Sequence, residues 1–70
     1  MVGYQGTVIM MMDDLHFNST TFRLRDVDPL FCFPLSHKKF RQIMCDSFRT
    51  NQDIMVYLDN NGQIEAMEMA

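Results

Sequence analysis

Four side chains in this sequence offer nucleophilic or general-base chemistry: Cys32, Cys45, His16 and His37. A working Cys–His pair needs hydrogen-bond contact and a third group to orient the base. His37 and Cys45 are separated by about two turns of a predicted helix, out of mutual reach. Cys32 and His37 are closer in sequence, but no third partner stands near them. The same residues lack metal-ligand spacing. The adjacent acids Asp13 and Asp14 point to opposite sides if the chain there is extended, which fits a solvated strand end. Three scattered glycines form no phosphate-cradling loop. The expectation is a chain that is not an enzyme, with no cofactor and no metal.

Binding chemistry is better represented. All six basic residues fall between Arg23 and Arg49; less Asp26, Asp28 and Asp46, that stretch carries +3 in a chain of net charge −3. Arg23, Arg25, Lys38, Lys39 and Arg41 are the candidate anion-binding residues. Lys38 and Lys39 fall in the first turn of the predicted helix, where the macrodipole disfavours cations. They read either as an anion site or as charges screened by Asp26 or Asp28. Stacking partners for a nucleic-acid strand are few, Tyr57 and Tyr4, and the acidic net charge disfavours phosphate-backbone binding. Eight methionines are the larger anomaly. With Val8, Ile54, Val56, Leu58, Ile64 and Ala66 assigned inward, some methionines are expected outside, and exposed apolar patches mark interfaces. Ile9, Met11, Met55, Met67 and Met69 are the candidate interface, facing another protein or a further copy of the chain.

The elements that must position these residues follow from periodicity. Tyr4 to Met12 reads as a strand with Tyr4, Gly6, Val8, Met10 and Met12 on one face. Thr21–Arg25 alternates cleanly, with Phe22 and Leu24 inward and both arginines outward. Leu30–Phe33 is a short aromatic strand ended by Pro34. A helix follows, with Ser36 as N-cap, a buried stripe of Phe40, Ile43, Met44 and Phe48, and Asn51 closing it in the left-handed region. Ile54–Leu58 is a strand with Ile54, Val56 and Leu58 inward. Asp59-Asn60-Asn61-Gly62 supplies a hairpin turn, and Gln63–Met69 returns as the last strand.

Seventy residues, 47% of them hydrophobic, make one small domain spanning 1–70. The order is βββαββ: mainly β with one α-helix, matching a small five-stranded OB-like barrel. An open α+β sheet with the helix on one face is the alternative. Gly6-Thr7-Val8, Thr21-Phe22-Arg23-Leu24, Phe31-Cys32-Phe33-Pro34-Leu35-Ser36, Ile54-Met55-Val56-Tyr57 and Gln63-Ile64 together resemble small bacterial OB-fold proteins similar to toxin B subunits. The resemblance implies an OB-like barrel without catalysis that tends to form rings, and glycan binding. No binding residue carries over.

The expected function is a non-catalytic binding and assembly module acting through protein–protein contacts and self-association. Single-stranded nucleic-acid or anionic-ligand binding is the alternative. No apolar run approaches the ~20 residues of a membrane span. No secretory leader is evident, so the default compartment is cytoplasmic, or secreted or periplasmic for a processed chain.

Overall fold

A computed structural model describes residues 2–70. Six strands and one helix follow in the order β1 (Val2–Gly6), β2 (Val8–Asp14), β3 (Ser19–Leu24), β4 (Leu30–Pro34), α1 (Lys38–Thr50), β5 (Ile54–Leu58) and β6 (Ile64–Met69). They form two antiparallel sheets, β1-β5-β6 and β2-β3-β4. The stretch read as one first strand is therefore two, divided at Thr7, and it serves a different sheet on each side of the break. β4 and β6 approach one another but do not pair, so the sheets stay open along that seam among the described residues.

The break at Thr7 is held from three directions. The Thr7 carbonyl accepts from the Arg25 N–H at 2.8 Å, and its hydroxyl donates to Asp53 Oδ1 at 2.6 Å. One residue on, the Val8 N–H donates to the buried Ser47 Oγ at 3.0 Å. That hydroxyl in turn donates to the Gln52 carbonyl at 2.6 Å. A strand leaving one sheet would strand its backbone polar groups; here the Arg25 N–H satisfies the Thr7 carbonyl and the Ser47 hydroxyl, in the last turn of α1, satisfies the Val8 N–H. Gly6 allows the close approach, since a Cβ there would sit 3.1 Å from the Leu24 Cβ.

The core lies between the sheets and is strongly aromatic. Phe22 stacks on Phe31 with ring centroids 5.3 Å apart and meets Phe33 edge-on at 5.9 Å. Tyr4 of the other sheet reaches Phe31 at 5.4 Å. The helix plugs one end of this stack through Phe40, which meets Phe33 edge-on at 5.8 Å, and through buried Met44. Val8, Leu24, Ile54, Val56 and Met67 complete the buried set.

Two details of the helix differ from expectation. The N-cap is His37, not Ser36: its Nδ1 accepts from the Phe40 N–H at 3.4 Å, and its ring stacks on Phe40 with centroids 3.7 Å apart. Stacking favours the residue that both caps and packs. The buried face is Phe40, Met44 and Ser47 with Ile43 alongside, whereas Phe48 is 43% exposed. Ser47 takes the inward position, where its hydroxyl accepts from the Val8 N–H. Asn51 closes the helix at φ 59°, as expected, and Gly62 turns the last hairpin at φ 79°.

Two β-bulges overturn the face assignments. Val8 opposes Leu24, but Met10 opposes Arg23, so Ile9 is an extra residue on β2. Past it the phase inverts: Met11 and Asp13 share a face with Phe22 and Thr20, and Met10 and Met12 turn outward. Likewise Leu58 opposes Ile64 while Tyr57 opposes Ala66, leaving Glu65 extra on β6. Met67 and Met69 thereby turn inward opposite Val56 and Ile54, and Ala66 turns outward.

Candidate functional site

The interface candidates separate in the fold. Met67 is 4% exposed and belongs to the core, and Met69 packs against it; neither is free for a surface. Met55 is half-buried on the outer face of β5, opposite Gln5. Ile9 and Met11 are exposed on β2, in the other sheet. The methionines therefore form no single patch across strands; the exposed ones concentrate on β2.

That strand carries an unusual surface. Ile9, Met10, Met11 and Met12 are all exposed, although a strand with one covered face should alternate. The hairpin tip beyond it adds Leu15 at 81% and Phe17 at 74% exposure. Both are legible in the sequence as apolar residues inside a turn, where polar ones are the rule. The tip is ordered by its own polar groups. Asp14 Oδ1 accepts from the His16 and Phe17 N–H groups at 3.0 and 3.2 Å, and Asn18 takes a left-handed φ of 54°. Beside β3, the other edge of β2 has no strand partner among the described residues.

The flank of β2 is fixed to the helix. Arg41 grips Asp13 through two nearly parallel bonds of 2.7 and 2.8 Å and also donates to the Thr20 hydroxyl at 3.1 Å. The Thr20 hydroxyl itself donates to Asp13 Oδ1 at 2.9 Å. The Arg41 bond, then the Thr20 bond, hold the Asp13 carboxyl below its usual range. Arg41 thus spends its guanidinium within the fold. Asp13 pairs with Arg41, whereas Lys38 and Lys39, the charges that Asp26 or Asp28 was expected to screen, have no ion-pair partner among the described residues.

The remaining basic residues do not converge. Lys38 and Lys39 are exposed at the start of α1. Arg25 lies beyond its far end, about 20 Å away along a 13-residue helix. There it lines a shallow depression of about 260 Å³ with Gln5, Thr7, Asp26 and Asp53. Asp53 is held below the usual carboxylate range by the Thr7 hydroxyl first and by Gln5 second. Two acids beside one arginine make this a poor anion pocket. Arg23 is exposed on the outer face of β3, between Met10 and Leu30. The expected stacking tyrosines are elsewhere. Tyr4 is against Phe31, and Tyr57 donates to Glu68 at 3.2 Å on the outer face of the other sheet, which raises its phenol above the usual value.

Both cysteines are free thiols, Cys32 exposed on β4 and Cys45 half-buried on α1. Among the described residues no three His, Cys, Asp or Glu side chains gather as a metal site, and no helix is long and apolar enough to cross a membrane. Compared with known proteins, the chain matches no family model, no curated protein and no solved structure.

Proposed function

We propose that this protein is a non-catalytic binding and assembly module that works through protein–protein contacts made by β2 and the tip of the β2–β3 hairpin. The observation that carries the reading is the exposed, uncharged run Ile9–Met12 continuing into Leu15 and Phe17. Exposed apolar surface of this extent is costly in water and characteristic of interfaces. Methionine suits such a surface because its flexible, polarisable side chain adapts to a partner. The hairpin presents the residues rigidly, since the Asp14 turn and the Asp13–Arg41 bond fix both its end and its flank.

The strand path supports an OB-like reading of the fold. Counting β1 and β2 as one bent strand gives five strands with the helix between the third and fourth, in an order β4-β3-(β2/β1)-β5-β6 consistent with an OB-like path. The nucleic-acid alternative receives less support, because Arg41 is internally paired, Lys38 and Lys39 stand at the start of α1, Arg25 lies beyond its far end, and Arg23 is on the outer face of β3.

Sedimentation velocity of the wild type beside a Met12→Lys/Phe17→Lys double variant tests the proposal. The wild type should associate as concentration rises to high micromolar, and the folded double variant should sediment as a monomer throughout. Identical behaviour of the two proteins would exclude the hairpin surface as an assembly site.

A further inference from the structure

Asn18-Ser19-Thr20 is the one Asn-x-Ser/Thr triplet in the chain. With a middle residue other than proline, that triplet is the acceptor pattern for N-linked sugars. The fold sets its two working residues in opposite surroundings. Asn18 is exposed at the tip of the β2–β3 hairpin, in a left-handed conformation, φ 54°, that asparagine tolerates. Its carbonyl accepts from the Leu35 N–H at 2.9 Å. Its carboxamide, where a sugar would attach, has no hydrogen-bond partner among the described residues.

A seat for a sugar begins at this residue. A shallow depression of about 340 Å³ joins apolar Phe17, Phe33 and Pro34 to polar Asn18, Ser19 and Gln63. A pyranose has the same two characters: C–H faces that lie on aromatic rings, and hydroxyls that hydrogen-bond at a polar rim. Phe17 is the exposed ring of this lining and directly precedes the acceptor. A sugar lying over it removes apolar surface that water otherwise bears.

We propose that Asn18 is the acceptor of an N-linked sugar, attached before β3 joins its sheet. The donor is a sugar-1-diphosphate, carried on a lipid or on a nucleoside. A bond forms between Asn18 Nδ2 and the sugar C1 as the C1–O bond to the diphosphate breaks. The diphosphate leaves with the electron pair, and the amide proton passes to a base of the transferase. The order of events follows from Thr20. A transferase needs the hydroxyl two residues past the asparagine, and in an extended chain both side chains share one face. In the fold Thr20 is fully buried, donates to Asp13 Oδ1 at 2.9 Å and accepts from Arg41 at 3.1 Å. The folded hairpin thus hides half of the triplet while leaving Asn18 outside, where an attached sugar is accommodated. Modification does not depend on assembly of copies, and a sugar over Phe17 closes the hairpin tip to a protein partner.

Mass spectrometry of the chain isolated from the cells that make it tests the site. The peptide carrying Asn18 should bear a sugar mass; Asn18 bare in every molecule overturns the proposal. An oligosaccharide transferred whole marks the lipid-linked donor, and a single hexose the nucleotide-linked one. The triplet is tested by translating full chains in the presence of a soluble N-glycosyltransferase and its nucleotide sugar. Wild type and Thr20→Ser should be modified, and Asn18→Gln and Thr20→Val should not; sugar on either of the last two overturns the reading of the triplet. The order is tested with purified, prefolded chains and the same transferase. Wild type should gain sugar at least about tenfold more slowly than Phe40→Ala, whose weakened core leaves it unfolded more of the time. Equal rates would overturn attachment before folding.

Discussion

Ser47 shows how one buried hydroxyl can hold an otherwise costly backbone arrangement. It accepts from Val8 and donates to Gln52, so it closes the strand break and the helix end together. Ser47→Ala leaves a buried N–H unsatisfied and should destabilise the fold by about 1–3 kcal/mol in urea titrations. The two tuned carboxylates make a second prediction at this scale. Asp13 and Asp53 both titrate lower in the folded chain than the ordinary 3.8. Their contribution is complete above that value and is lost as pH falls through the folded-state values. Acid unfolding curves of Asp13→Asn should therefore show a shallower loss of stability below pH 3.8 than the wild type. Thr7→Val should move the Asp53 titration upward, as followed by carboxyl carbon shifts in NMR.

At the scale of elements, the helix and the bulges separate residues that periodicity alone treats alike. Phe40 packs between Phe33 and the cap histidine, so Phe40→Ala should cost about 3–5 kcal/mol. Ser36 is exposed and precedes the true cap, and Ser36→Ala should stay within about 0.5 kcal/mol. Comparable losses from both, measured by chemical denaturation, would contradict this capping arrangement. The Ile9 bulge lets β2 bury Val8 while turning Met11 and Asp13 to the inner face. Deleting Ile9 would force either Val8 or Asp13 out of register. That deletion should lower the melting temperature far more than Ile9→Ala, since the substitution removes only an exposed side chain.

For the whole molecule, each three-stranded sheet has one central strand, β5 in one and β3 in the other. Central strands are hydrogen-bonded on both sides, and edge strands open by smaller local fluctuations. Amide exchange should accordingly be slowest in β3 and β5 and faster in β4 and β6 along the open seam. Uniform exchange across all six strands would indicate that the seam is not the weak line of the fold. The charge distribution acts at the same scale. A basic middle flanked by acidic ends favours association between copies at low salt, and screening should weaken it.

Much of this structure was legible without coordinates. Alternation in Thr21–Arg25 and Ile54–Leu58, the helical stripe from Phe40 to Met44, and Asn51 and Gly62 at positive φ all follow from local rules. These depend on side-chain period and backbone sterics, which neighbouring residues settle among themselves. The bulges at Ile9 and Glu65 did not follow, because an extra residue is defined only against the opposing strand. They decided which methionines are core and which are surface, moving Met67 and Met69 inward and Met10 and Met12 outward. The break at Thr7 likewise depended on Arg25, Ser47 and Asp53, which sequence distance hides. Of the interface residues named from sequence, Ile9 and Met11 lie on the exposed strand because local apolarity exceeded what the core could absorb. Leu15 and Phe17 completed that surface only when the hairpin carried them to its tip, where the fold offered nothing to cover them.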